Sequence, residues 1–299
     1  MRKISRHEVK LIWYGEGALT LEARVRLDKE KPLSYWSVEM KDYDGAKVKE
    51  LIFPYLTNIK AFTNEEIVLS DWTGALYKNP RAAQKCLSLF KRNHKHQAMQ
   101  LSAIYGDESS GLYIATNDTL SYGKALNISF REHLTDLKMI NILEMGAEKS
   151  HYRPTYDFIL GTLHGNWYDA AQIYREWALQ QHWTKNNRLH SGKINKWLPE
   201  TDIWVWNRGR SSNVLTEAAD LKEYLGDYNV SVLWHWWHNG PYDDAFPEYI
   251  PPREGRESFV EAVAKARNKG INMTPYMNSF QWGGATKSFR EKGVERYVA

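Results

Sequence analysis

The hydrophobic pattern changes period part-way along the chain, and that change limits the possible folds more than any single motif. From Val9 to about Leu163, short apolar or alternating runs are broken by Gly, Asn, Asp and Pro. They are Lys10–Tyr14, Leu19–Leu27, Tyr35–Met40, Ile67–Leu69, Met99–Tyr105, Leu112–Thr116, Leu126–Phe130, Lys138–Leu143 and Tyr156–Leu163. Within Leu19–Leu27 every second residue is apolar, as in a strand with one wet face. Tyr105–Leu112 joins two runs through turn residues, a hairpin signal. Short strands at this spacing predict an antiparallel β-sandwich over residues 1–165. Asp107, Glu108, Asp118 and Asp136 read as solvated turn carboxylates.

A different pattern follows. Asn166 is placed to cap a helix from about Trp167 to Gln181, because Ala170, Ile173, Tyr174, Trp177 and Ala178 fall on one face. Residues 166–200 therefore read as a connector helix and a polar linker. From 201 onward, buried strands alternate with helices: Thr201–Trp206, a helix from about Asn213 to Leu225, Val230–Trp236, a helix from about Glu257 to Lys269, and Ile271–Met277. Right-handed crossovers would make these strands parallel. A (β/α)8 barrel takes about 250 residues, and about 100 follow Asp202. The expectation for 201–299 is thus the first βα units of a (β/α)8 TIM-type barrel, incomplete in this chain, with uncovered strands and exposed apolar surface. A small three-stranded α/β layer packed on the sandwich is the alternative.

Composition removes several function classes. With 42% hydrophobic and 25% charged residues the chain is globular, and no window approaches the ~18 consecutive apolar residues of a membrane span. The net charge is +4, and the one basic cluster, Lys91–His96, is short, so nucleic acid is not an expected partner. A single cysteine, Cys86, excludes an internal disulfide or a zinc site built from several thiolates. No cofactor is predicted. Met1–Lys10 holds Arg2, Lys3 and Arg6 without an apolar h-region, so no export signal is visible and the compartment stays open.

Thirteen Trp beside 18 Tyr and 9 Phe is an unusual number of amphipathic rings. Such rings suit sugars, whose C–H faces stack and whose hydroxyl rims hydrogen-bond. In parallel α/β folds ligands meet the carboxyl ends of strands, which here carry Trp206-Asn207-Arg208, Trp236-Trp237-His238-Asn239 and Tyr276-Met277-Asn278. The candidate saccharide-binding residues are Trp206, Asn207, Arg208, Trp236, His238, Asp243, Tyr276 and Asn278. The same aromatics would also serve as plugs of a barrel core, and Asp243 and Asp244 as turn carboxylates. His235 and His238 form an H-x-x-H, but residues three apart on a strand face opposite ways, so no metal site is predicted. Glycoside hydrolysis needs two carboxyl groups roughly 5–10 Å apart, and no such pair is legible.

Gly111–Asp118, the helix Asn166–Ala178, the loop Ala245–Pro252 and the stretch Asn272–Asn278 together resemble glycoside-hydrolase-like proteins of a domain-of-unknown-function family. The resemblance implies an N-terminal β-sandwich before a (β/α)8 barrel, a glycan substrate, and catalytic acids on the fourth and later strands, downstream of residue 299. A substrate-side role for the strand-end residues is carried over with it. Two functions follow as expectations: the N-terminal portion of a glycoside hydrolase, inactive alone, or a non-catalytic carbohydrate-binding or interaction module.

Overall fold

A computed structural model of the chain describes residues 1–45, 47–71, 73–82, 86–89, 97–107, 110–143, 149–189, 191–240, 242, 244–278 and 281–297. Its contacts divide it into two units, Met1–Asn186 and Asn187–Ala299. Lys91–His96, Glu108 and Asp243 lie outside the described residues.

The first unit is built from strands β1 (Arg2–Ser5), β2 (Glu8–Tyr14), β3 (Thr20–Leu27), β4 (Leu33–Lys41), β5 (Glu50–Lys60), β6 (Glu66–Asp71), β7 (Ala75–Lys78), β8 (Cys86–Leu89), β9 (Gln97–Tyr105), β10 (Ser110–Thr116), β11 (Lys124–Phe130), β12 (Leu134–Ile142), β13 (His151–Tyr152) and β14 (Phe158–His164). One antiparallel sheet has the order β1-β2-β3-β4-β14-β10-β9-β6-β7, with β13 beside β4; the other has the order β5-β12-β11-β8. Period-two alternation decides how they share a core. Along β11, Lys124, Leu126, Ile128 and Phe130 are buried at every second position, and along β12 Thr135, Leu137, Met139 and Asn141. The apolar members of this set meet Ile67, Leu69, Ile104, Ile114 and Phe158 of the larger sheet in one cluster.

The opposite face of the larger sheet is covered by helix α1 (Trp167–Ala178). Ala170 and Tyr174 are buried there against Leu101, Ala103, Tyr113, Ala115 and Leu163, with Ile173, Trp177 and Ala178 alongside. These five helix residues are the face that the spacing predicts. Asn166 caps the helix: its Oδ1 accepts from the Tyr168 N–H at 2.8 Å, while the Asp169 carboxylate accepts from the Asn166 N–H at 2.9 Å. Gly165 sits at φ +109°, and a Cβ there would lie 2.0 Å from Asp169 Oδ2, so the capping box requires glycine. Asn166→Ala is expected to cost about 1 kcal/mol, read as a lowered urea midpoint. An unchanged midpoint would mean that the Asp169 half of the box suffices.

Two differences from the sequence expectation have clear causes. β5 carries Pro54 and a positive-φ Asn58, and its alternation slips phase at each of them. It is an edge strand pairing with β12 alone, across two register shifts, which is where proline and irregular backbone are tolerated. Asp118 is not a solvated turn carboxylate. Its side chain is fully buried, accepts the Leu120 and Tyr122 N–H groups at 2.8 and 2.7 Å, and pairs with the equally buried Lys124. Asp107 is exposed and bonded to Asn64, and Asp136 accepts from Arg131 and the Asn58 N–H.

The second unit holds three parallel strands, β15 (Ile203–Asn207), β16 (Val230–Trp234) and β17 (Asn272–Pro275), in that order. Helix α3 (Thr216–Leu225) joins the first two and α4 (Arg256–Asn268) the second and third, α2 being a single turn at His182–Lys185. One face of the sheet carries Val205, Val230, Val232, Trp234 and Met273, packed under Ala218, Ala219, Phe259, Ala262 and Ala266 of the two helices. Register puts Trp204 beside Ser231 and Asn272, and Trp206 beside Leu233 and Thr274, on the other face. No helix among the described residues is long and apolar enough to cross a membrane.

Candidate functional site

The site at the carboxyl ends of β15, β16 and β17 follows from continuing this register one step. The His235 N–H donates to the Asn207 carbonyl at 2.8 Å and the Tyr276 N–H to the Trp234 carbonyl at 3.0 Å, so the ladder extends past the strands. His235 is two residues beyond Leu233, and Tyr276 two beyond Thr274, so both share the Trp206 face. Their rings stack at 4.0 Å and 18°, and Trp206 meets His235 edge-on at 5.3 Å. Tyr242, from the loop after β16, touches His235 at 4.8 Å and Trp236 at 5.7 Å. The Arg208 guanidinium lies over Trp206 at 4.6 Å and over Tyr242 at 5.2 Å.

Trp206, Arg208, Trp236 and Tyr276 are thus brought into one group, through two residues outside the predicted set. His235 entered the sequence analysis only as half of an H-x-x-H, although its parity with Trp206 was available. Tyr242 carries no periodic signal, since it sits in a loop. Trp206 is 55% exposed and belongs to the sheet face opposite the helices. Trp236 is half-buried, donates its indole N–H to the Gly240 carbonyl at 3.2 Å, and has the Arg253 guanidinium over one face at 4.2 Å.

Three other predicted residues hold the surroundings together. Asn207 has the opposite parity, with Trp234 and Val205, so it points toward the helices. There its amide donates to Glu217 Oε2 of α3 at 2.9 Å, and its Oδ1 accepts the Gly209 N–H at 2.6 Å. His238 is fully buried among Trp237, Phe246 and Tyr249, with Nδ1 2.9 Å from the Asn239 carbonyl. Asn278 exchanges bonds with the Tyr249 hydroxyl and folds its amide onto Gln281. Burial pushes the Tyr249 hydroxyl above its ordinary pKa, with the Asn278 N–H opposing.

Glu254, beside the Gly209 turn, is already engaged. Glu254 accepts the Ser211 N–H at 2.6 Å and pairs with Arg210 at 3.2 Å, and these bonds, the Ser211 N–H foremost, hold its carboxyl below the ordinary glutamate value. A carboxyl held ionised is suited to accepting hydrogen bonds, not to donating a proton. Flat rings and a guanidinium gathered at the strand ends suit stacking and hydrogen bonding with a polyhydroxylated ring.

Residues 152–299 match DUF6259, a domain of unknown function. The DUF6259 region therefore contains all three parallel strands and the whole strand-end group. The chain is 28% identical over 211 residues to "Putative glycoside hydrolase 22789" of Monosiga brevicollis, covering 62% of this chain and 18% of that protein. It is 22% identical over 268 residues to a "Putative glycoside hydrolase" of Bacteroides thetaiotaomicron, covering 89% of this chain and 38% of the relative. In structure it resembles ligand-free α-N-acetylgalactosaminidase NagBb from Bifidobacterium bifidum, with a TM-score of 0.65 at 11% identity over 96% of this chain and 52% of the other. At that identity the likeness is one of fold. This chain spans well under two thirds of the length of each of these three proteins.

Proposed function

We propose that this chain is the N-terminal portion of a glycoside hydrolase acting on glycosidic bonds of a glycan, with the strand-end group forming part of its saccharide-binding mouth. The two packed antiparallel sheets would be its sandwich, and the three parallel strands the opening of a (β/α)8 barrel. The carrying observation is the convergence of Trp206, His235, Tyr276 and Tyr242 with Arg208 at the carboxyl ends of parallel strands. The relatives' names and the shared fold support it, and their greater length fits catalytic carboxylates on further βα units. Among the described residues of the site no carboxylate pair faces the opening, so the bond-breaking acids are assigned elsewhere and the chain alone is expected to hydrolyse nothing.

Trp236→Ala tests this assignment. Stacking on an indole contributes on the order of 1–2 kcal/mol, so the dissociation constant for a bound glycan should rise about tenfold while the preferred sugar stays the same. Trp177→Ala is the control, because it unpacks α1 and should lower stability without changing affinity. Glycan binding indifferent to Trp236→Ala would remove the site. Hydrolysis of a glycoside by the chain alone would instead show that the acids lie within it.

A further inference from the structure

Arg208 is held at the strand-end opening by the ring faces of Trp206 and Tyr242, and ring faces accept none of its five N–H donors. Among the described residues it has no ion pair and no hydrogen bond. The other arginines of the region differ. Arg210 is paired with Glu254 at 3.2 Å, and Arg253 donates to the Gly209 carbonyl at 3.0 Å. Asp244, two residues past Tyr242, is exposed and is not an ion-pair partner of Arg208. An exposed cation held between two rings, with no counter-charge among the described residues, is arranged to meet an anion from outside. The guanidinium fork matches two oxygens of a carboxylate or a sulfate, whereas a hydroxyl takes one donor at a time. The Arg208 head also covers part of the Trp206 face, so a ring stacking on that indole must arrive beside the cation.

We propose that the strand-end site takes an acidic saccharide, carrying a carboxylate or sulfate ester, and that Arg208 reads that oxyanion. This rests on the saccharide-site assignment above. The full chain and its Arg208→Gln and Arg208→Lys variants would be applied to a printed array of neutral, uronic-acid, sialylated and sulfated oligosaccharides. The wild-type chain should prefer acidic glycans to neutral counterparts of the same backbone roughly tenfold, as expected for one charge-assisted bidentate contact. Arg208→Gln should bring that ratio to within about twofold of unity, and Arg208→Lys, keeping the charge but losing the fork, should fall between. The carboxylated and sulfated arms report which oxyanion is read. Equal binding of neutral and acidic glycans, or Arg208→Gln weakening both alike, would overturn the inference and leave the saccharide site standing. Binding of no glycan by the wild-type chain would overturn both.

Discussion

Trp234→Ala is expected to destabilise the Asn187–Ala299 unit by about 3–5 kcal/mol, the range for truncating a large buried aromatic. Trp234 lies on the central strand of the parallel sheet at 2% exposure, and its ring stacks on Phe259 of α4 at 5.3 Å and 9°. Its indole N–H also donates to the Gly209 carbonyl at 2.9 Å. The substitution removes a packed ring, the sheet-to-helix stack, and a bond that anchors the loop carrying Arg208. Trp234→Phe keeps most of the packing and should cost about 1 kcal/mol more than its lost volume alone, for the missing hydrogen bond. Hydrogen exchange is the appropriate readout, because two units need not unfold together. Amides of β15, β16 and β17 should lose protection while those of β10 and β11 keep theirs. A loss under 1 kcal/mol would mean that the ring is not central to this layer.

The second large effect lies in the other unit. Lys124→Met is expected to cost about 3–5 kcal/mol, because it leaves the Asp118 carboxylate buried without its counter-charge. Asp118 and Lys124 side chains are 0% and 2% exposed, and burial lowers the Lys124 pKa against the opposing pull of Asp118. The ammonium also lies 4.8 Å from the Tyr156 ring, whose hydroxyl donates to Asn141 Oδ1 at 2.5 Å. The double substitution Asp118→Asn with Lys124→Met should recover most of the loss. An asparagine remains able to accept from the Leu120 or Tyr122 N–H without carrying a charge. Urea denaturation of the single and double variants gives the comparison. If the double variant is as unstable as Lys124→Met, the penalty comes from lost packing of the lysine stem and not from a stranded charge.

The Asp118–Lys124 pair marks where sequence reading runs out. Asp118 lies in a turn-rich stretch between two apolar runs, where aspartate is ordinarily wet. Lys124 occupies an inward position of an alternating strand, a clue that a charge was buried and needed a partner. The partner is six residues away, yet burial of both groups depends on Tyr156 and Asn141 arriving from other parts of the unit. The candidate site divides in the same manner. Trp206, Arg208, Trp236 and Tyr276 were accessible from strand ends alone. His235 required continuing the period-two count by one step, and the helix-facing parity of Asn207 was available from the same count. Tyr242 comes from a loop, and only closure of that loop over β16 brings it to Trp236 and Arg208.

By itself the sequence determined the change from antiparallel strands to alternating strands and helices, the apolar face of α1, its Asn166 cap, and the three segments that become parallel neighbours. These depend on periodicity and on local hydrogen bonding, which a chain carries within a few residues of itself. Tertiary structure alone decided that His235 stacks on Tyr276, 41 positions further along, that Arg208 rests between Trp206 and Tyr242, and that β5 closes one edge of the smaller sheet. Periodicity states which face of an element is buried but not which other element covers it. That choice is made by register between strands and by the paths of the loops that join them, which act over separations no local pattern encodes.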